Sequence, residues 1–103
     1  MNDSSQLRVK GFQETIEAIY FERDNGRGTL GTFAWFVEEV GELSRALRKK
    51  DPENLSEEFA DCFAWLASLA SIAGVDLATA ANKYANGCPR CHGTPCVCAH
   101  RAG

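Results

Sequence analysis

The residues of this sequence best suited to chemistry are carboxylates that stand three positions apart in two separate segments. Glu39 and Glu42 form one pair, and Glu58 and Asp61 form the other. Residues three or four apart share one face of an α-helix, so the two members of each pair project together. If the two helices pack antiparallel, four carboxylates meet in one cleft and repel each other strongly. A divalent cation removes that repulsion, and oxygen ligands favour Mg²⁺, Mn²⁺ or Ca²⁺ over Zn²⁺.

Acidic pairs of this kind also occur on ordinary solvated helix faces, so the pattern has a second interpretation. Two observations favour a site over a solvated face. The pairs adjoin apolar stripes, and both segments repeat the same three-residue offset. Glu38 directly precedes the first pair and is predicted to point further towards solvent than Glu39.

A second group of candidate ligands lies near the C-terminus, where four cysteines fall within eleven residues: Cys88, Cys91, Cys96 and Cys98. In a reducing compartment such a group indicates a metal rather than disulfides, and four thiolates suit tetrahedral Zn²⁺. Because Val97 is the only branched aliphatic residue of this tail, metal binding would supply the stability that a core cannot. Open alternatives are His92 or His100 in place of one cysteine, an iron–sulfur cluster, disulfides formed on oxidation, and a redox-active tail without metal.

Composition limits the classes of protein that this chain can represent. Its 103 residues indicate one domain. Hydrophobic residues make up 45% of the chain and charged residues 24%, which is ordinary for a globular protein. This composition excludes disorder over most of the chain. No apolar run reaches the ~18 residues of a membrane span, and the N-terminus lacks the apolar stretch of a signal peptide. We therefore expect a cytoplasmic protein with no membrane partner.

The charge distribution argues against nucleic acid as a partner. All 14 acidic residues precede Cys88, whereas Arg90 and Arg101 are the only Lys or Arg residues after it. A mainly acidic body does not provide the basic surface that nucleic acids require. It fits a protein that gathers carboxylates around a cation.

Hydrophobic periodicity predicts two amphipathic helices in the first half of the chain. The first covers about residues 5–22, and the glycine-containing stretch 23–28 is predicted to break it. The second helix covers about residues 30–49 and carries a clean apolar stripe.

Two further helices follow, which makes the predicted fold an all-α four-helix bundle. The third is predicted to start with Asn54 as its N-cap, supported by Glu57, and to stop at Gly74. It is apolar almost all round, as expected in a bundle centre or a subunit interface. The fourth is short, with Asp76 as its cap, and its residues Leu77, Ala80, Ala81 and Tyr84 are predicted to face inward.

The acidic motif together with its surroundings resembles a known family. Glu38-Glu39-x-x-Glu42, followed after fifteen residues by Glu58-x-x-Asp61, is similar to the signature of MazG-type nucleotide pyrophosphohydrolases, members of the all-α NTP pyrophosphatase superfamily. The similarity covers about residues 5–87. It implies a MazG-like bundle that assembles as a homodimer or homotetramer, and Mg²⁺-dependent hydrolysis of a nucleoside triphosphate to a monophosphate and pyrophosphate, in the house-cleaning of nucleotide pools.

The resemblance also implies roles for individual residues. Four carboxylates would be the Mg²⁺ ligands, with Mn²⁺ as the alternative ion: Glu39, Glu42, Glu58 and Asp61. Glu38 would be the catalytic residue that orients the attacking water, or it would bind a second Mg²⁺. Lys83 and Asn86 match, more loosely, a basic residue and an amide that contact phosphates. Arg23 and Arg27, in the predicted loop, either reach phosphates as well or are simply solvated. Four aromatic side chains either belong to the core or stack on a base: Tyr20, Phe21, Trp35 and Trp65.

The expected organisation is a MazG-like helical domain at residues 1–87 and a cysteine-rich zinc-binding knuckle at residues 88–103. The knuckle is not implied by the resemblance. A rival interpretation of the whole chain is a small metal-bound helical adaptor that is not an enzyme. In that case the acidic faces are solvated, and the apolar third helix and the tail bind a partner protein.

Overall fold

The computed structural model describes residues 8–101, and within this range every regular element is helical, as the sequence predicts. The elements in chain order are α1 (Val9–Arg27), α2 (Thr29–Lys49), α3 (Pro52–Ile72), α4 (Leu77–Ala81) and a 3₁₀ turn (Asn82–Tyr84). The all-α prediction is thus confirmed. The predicted start of the first helix near Ser5 lies outside the described residues.

The predicted break over residues 23–28 is wrong, because α1 continues to Arg27 and ends only at Gly28. Asp24 is 3% exposed, and its carboxylate accepts a hydrogen bond from Arg27 Nη1 at 3.0 Å. This pair lies three residues apart on one helix face, so the polar residues of the supposed loop satisfy each other within the helix. Gly28 then turns the chain with a φ of 93°, which a residue without Cβ adopts readily.

The predicted start of α3 at Asn54 is also wrong, because the helix begins at Pro52 with Asp51 as its N-cap. The Asp51 carboxylate accepts from the Glu53 N–H at 3.2 Å. Proline suits the first helical position because its φ is already helical and it has no N–H to satisfy there. The predicted cap of α4 is confirmed, since the Asp76 carboxylate accepts from the Ala78 N–H at 3.1 Å.

Helix α3 is the central element, and it packs against both α1 and α2. Two residues connect α2 to α3, so the two helices form an antiparallel hairpin in which Trp35 lies against Trp65. On the α1 side, the rings of Phe12 and Phe63 stack with their centroids 4.5 Å apart. The central position of α3 explains its largely apolar sequence.

A buried glutamine ties α1 to the turn between α3 and α4. Gln13 Nε2 donates to Ser71 Oγ at 3.1 Å and to the Val75 carbonyl at 2.8 Å, and its Oε1 accepts from the Leu77 N–H at 2.8 Å. Gln13 is 5% exposed, so these bonds satisfy a polar side chain that has little access to water. This side chain fixes the position of α4 relative to the bundle.

The single chain buries few apolar side chains. The buried ones in the described part are small apart from one isoleucine: Ile16, Ala46, Ala67 and Ala70. Large apolar side chains of α2 and α3 are instead exposed: Phe33, Val37, Val40, Leu47, Phe59, Phe63 and Leu66. Ala80, Ala81 and Tyr84, predicted to face inward, are exposed as well. Exposed apolar surface of this extent is typical of an interaction face.

Within residues 8–101, no single helix has the length and apolarity to cross a membrane. Helix α3 and residues 77–84 pass that test only when taken together, and a bend of 108° separates them.

Candidate functional site

The α2–α3 hairpin brings three of the predicted carboxylates together. One oxygen each of Glu39, Glu58 and Asp61 lies within 4.8 Å of the others. Glu58 and Asp61 share one face of α3, and Glu39 faces them from α2. We call these three residues the carboxylate cluster.

One atom of the carboxylate cluster has no partner. Glu58 Oε1 is buried and accepts no hydrogen bond from the described residues. A buried polar atom without a partner costs free energy, roughly 1–3 kcal/mol and more when the group is charged. A cation or a donor bound in the cluster would remove this cost.

The electrostatics of the cluster also favour a cation. The pKa of Glu39 is raised above its ordinary value of 4.5, first by burial and then by the negative charges of Asp61 and Glu58. Burial, followed by the charge of Glu39, also raises the pKa of the neighbouring Cys62 thiol. Cys62, which is half-buried, therefore stays protonated at neutral pH and adds no charge to the cluster.

The other two predicted acidic residues lie beside the cluster. Glu42 Oε1 accepts a hydrogen bond from Arg45 Nη1 at 2.8 Å, in a pair that is largely exposed. Glu38 lines a shallow surface depression on α2 together with Glu42 and Arg45. Both carboxylates contribute to the raised pKa of Glu39, so they act on the cluster through their charge.

The looser predictions, Lys83 and Asn86, lie beyond α4. Both side chains are exposed, and the Lys83 ammonium lies 5.5 Å from the centroid of the Tyr84 ring. Lys83 lines a cavity with residues of the cysteine tail. Neither residue lines the cavity beside Asp61.

A cavity of about 360 Å³ opens next to the carboxylate cluster, and Asp61 forms part of its wall. The rings of Trp35 and Trp65 lie nearly parallel in this wall, at an angle of 14° and with their centroids 6.0 Å apart. The Arg27 guanidinium lies 5.1 Å from the centroid of the Trp65 ring. We call this space the tryptophan cavity.

Arg27 of the tryptophan cavity is a functional candidate whose predicted position is wrong. The sequence predicts it in a loop, whereas it belongs to the last turn of α1 and lines the cavity. Its Nη1 donates to Asp24 Oδ1 and also to the fully buried Thr32 Oγ1, at 3.2 Å. The sequence does contain a signal for this pair, because Asp24 and Arg27 stand three residues apart, as ion pairs on one helix face do.

The four cysteines of the tail converge on one point, with all their Sγ atoms within 4.8 Å of one another. The shortest contacts are Cys88 to Cys98, at 3.9 Å, and Cys91 to Cys96, at 3.8 Å. Backbone hydrogen bonds, the first of them from the Val97 N–H at 3.4 Å, lower the pKa of Cys91 to about 6. The tail is therefore arranged to hold a metal ion with thiolate ligands.

The fold and the carboxylate cluster define a class of protein, namely a helical protein that presents a cluster of carboxylates from two antiparallel helices. The chain matches the MazG nucleotide pyrophosphohydrolase domain over residues 27–92, more than half of its length, and it belongs to this family. The match includes both acidic pairs and ends within the cysteine tail. No match was found among curated proteins. The family indicates a hydrolase that acts on nucleoside triphosphates, and its enzymes generally use divalent metals.

Proposed function

We propose that the protein is a Mg²⁺-dependent nucleoside triphosphate pyrophosphohydrolase. It cleaves the bond between the α- and β-phosphates and releases a nucleoside monophosphate and pyrophosphate, in the house-cleaning of nucleotide pools. The observation that carries this proposal is the carboxylate cluster, with its unpartnered Glu58 Oε1, in a chain of the MazG family.

The residues present fit a Mg²⁺ ion. Mg²⁺ uses oxygen ligands, binds through a few carboxylates and completes its shell with waters and substrate phosphates. Glu39, Glu58 and Asp61 would hold it, and Glu42 would join them by leaving Arg45. That exchange is cheap, since an exposed ion pair contributes only about 0–1 kcal/mol. A divalent ion bound here supplies neutralisation of phosphate charge and a lowered pKa of a bound water.

The remaining roles belong to side chains around the cluster. Glu38 is exposed on α2 next to Glu39 in sequence, and its proposed role is to orient the attacking water and accept its proton. Lys83 and Asn86 are the proposed phosphate contacts. Both lie beyond α4 and not on the α2–α3 hairpin that presents the cluster, so we assign that contact to the copies of these residues in a second subunit.

We propose that the chain forms a homodimer or homotetramer through the exposed apolar face of α2 and α3. A charge within that face, as in Phe59→Asp, is expected to shift the mass measured by light scattering towards the monomer. Phe59 is 55% exposed in the single chain, so the substitution leaves the fold of one subunit largely unchanged. A mass equal to that of one chain in the unsubstituted protein would contradict the proposal.

We propose Zn²⁺ as a structural ion for the four cysteines of the tail. Four thiolates at mutual distances below 4.8 Å match a tetrahedral site with Zn–S bonds of about 2.3 Å. Protein purified under reducing conditions should hold one zinc per chain, and Co²⁺ in its place should show the visible absorption of a tetrathiolate site. Cys91→Ser should lose the ion, whereas the matched Cys62→Ser should keep it. Iron in place of zinc, or no stoichiometric metal, would overturn this assignment.

The proposed activity is tested with a panel of ribo- and deoxyribonucleoside triphosphates, with and without Mg²⁺. Pyrophosphate and the matching monophosphate are expected only with Mg²⁺ and not with Glu58→Gln. Glu57→Gln, which removes the same charge at the adjacent exposed position, should stay active. Orthophosphate as the product would mean cleavage of a different bond. No release from folded protein would favour the second candidate, the metal-bound adaptor, which the cysteine cluster and the exposed apolar face support.

A further inference from the structure

We propose that the cysteine tail is a site of reversible oxidation, at which a peroxide converts the four thiolates into two disulfides and releases the zinc ion. The disulfides join Cys91 to Cys96 and Cys88 to Cys98. This inference goes beyond the proposed hydrolase activity and rests only on the Zn²⁺ proposed for the tail.

The contacts between the sulfur atoms determine the pairing. Cys91 Sγ lies 3.8 Å from Cys96 Sγ, and Cys88 Sγ lies 3.9 Å from Cys98 Sγ. A disulfide bond measures about 2.0 Å, so each pair has to close by about 2 Å once no metal holds the sulfurs apart. A disulfide between Cys96 and Cys98 would close a ring over a single residue, and so short a ring strains the bond. This excludes the pairing of Cys88 with Cys91, which would leave Cys96 and Cys98 to each other.

The backbone of the tail already follows the course that these disulfides require. The Cys88 N–H donates to the Gly93 carbonyl at 3.0 Å, and the His92 N–H donates to the Cys88 carbonyl at 2.7 Å, which closes a tight turn. After this turn the chain returns, and the Val97 N–H donates to Cys91 Sγ at 3.4 Å. The oxidation therefore needs a local approach of the sulfurs and no refolding of the tail.

The surroundings of the sulfurs favour their attack on a peroxide. Cys88, Cys96 and Cys98 line a cavity of about 950 Å³. The same cavity is lined by no carboxylate and by three cationic side chains: Lys83, Arg90 and Arg101. Reactive cysteines occur in such partly exposed, electropositive surroundings, because the thiolate is the nucleophile. Cys96 is exposed whereas the other three cysteines are half-buried, so a peroxide reaches the Cys96 sulfur first.

The atoms and electrons of the reaction balance. The Cys96 thiolate attacks one oxygen of hydrogen peroxide, the O–O bond breaks, and the leaving hydroxide takes up a proton to form water. The Cys91 thiolate then attacks the sulfur of the resulting sulfenic acid, so that the S–S bond forms and a second hydroxide leaves, again protonated to water. A second peroxide oxidises Cys88 and Cys98 in the same way, and each peroxide accepts two electrons. The zinc ion is released because it has lost all of its thiolate ligands.

The test uses zinc-loaded full-length protein and hydrogen peroxide, and released zinc is followed with a chromogenic chelator. Release of zinc is expected together with a mass that is lower by four hydrogens than that of the reduced chain. Tandem mass spectrometry of non-reduced tryptic peptides should show the stated pairing, because fragmentation at Val97 separates Cys96 from Cys98. Addition of a thiol reductant and Zn²⁺ should restore the original mass and the bound ion.

The matched control is Cys62, which lies in α3 and does not belong to the group of four sulfurs. It should remain a free thiol, and Cys62→Ser should release zinc at the same rate as the unsubstituted protein. A chain that takes up no zinc, zinc retained in excess peroxide, sulfinic acids in place of disulfides, or another pairing would overturn the proposal. These readouts do not involve nucleotide hydrolysis, so their failure leaves the proposed activity standing. Protein without pyrophosphohydrolase activity that shows the stated disulfides would retain the oxidation site and reject the hydrolase.

Discussion

Replacing Glu58 by glutamine should make the metal-free protein more stable and remove its response to Mg²⁺. Glutamine keeps the size of the side chain, removes one of three charges within 4.8 Å of one another, and adds an amide donor that can reach the neighbouring carboxylates. It also removes the charge from the buried Oε1 position that has no partner. The same change deletes a proposed Mg²⁺ ligand. Glu58→Gln should therefore raise the stability of the protein without the ion and remove the stabilisation that Mg²⁺ gives.

The magnitude follows from the geometry. Two unit charges at 4.8 Å repel by about 1 kcal/mol in a water-like medium and by about 3–4 kcal/mol at an effective dielectric constant of 20. Asp61 is exposed, so solvent screening places the repulsion near the lower figure. Losing the two pairs that include Glu58 should therefore stabilise the metal-free chain by about 1–2 kcal/mol. A domain of this size gains about 4–8 °C in Tm for each kcal/mol.

Thermal unfolding with chelator and then with millimolar Mg²⁺ measures both effects. The unsubstituted protein should rise in Tm when Mg²⁺ is added, whereas Glu58→Gln should start higher and stay there. Glu57→Gln is the matched control: it removes the same charge one residue away and should keep the Mg²⁺ response. A lower metal-free Tm for Glu58→Gln than for Glu57→Gln, or an undiminished Mg²⁺ response, would refute the reasoning.

Three further predictions concern the elements that position the site. Gln13→Ala should lower the free energy of unfolding in urea by about 2 kcal/mol, because it leaves the Leu77 N–H without its acceptor. Asp51→Ala should cost about 1 kcal/mol through the lost N-cap of α3, and Asp51→Asn much less. The raised pKa of Glu39 means that folded protein binds this proton more tightly than unfolded protein does. The stability that the protonated Glu39 contributes is present below the ordinary pKa of 4.5 and is lost as the pH rises through the pKa of the folded protein. Glu39→Gln does not lose this contribution. In the absence of metal, its advantage in Tm over the unsubstituted protein should therefore grow from pH 4.5 to neutrality.

The features predicted correctly from the sequence depend on local periodicity. The apolar stripe of α2 needs only the helical repeat to place its side chains on one face. The cap at Asp76 is similarly local, because its carboxylate bonds to an N–H two residues away. Such features require no knowledge of the packed structure.

The errors arose where two local signals competed or where tertiary burial decided the outcome. Two glycines near Arg27 suggested a break, but burial of Asp24 makes the paired helical arrangement more favourable than a solvated loop. At α3, Asn54 and Asp51 are both good caps, and Pro52 favours the earlier one because it fits the first helical position. The tryptophan cavity depends on α1, α2 and α3 together, so no single segment could predict it.

The short connection between α2 and α3 explains why carboxylates so far apart in sequence meet. In an antiparallel hairpin, residues equally distant from the turn lie at the same level, and Glu39 and Asp61 are each eleven positions from Lys50. Glu42 and Glu58 are each eight positions from it, so Glu42 lies at the level of the unpartnered Glu58 Oε1 although its own carboxylate bonds to Arg45. In the proposed Mg²⁺ site, exchanging that exposed arginine for the cation would add Glu42 as a fourth carboxylate. The mirrored spacing around a two-residue turn therefore accounts for the level of Glu42 as well as for the three carboxylates that converge.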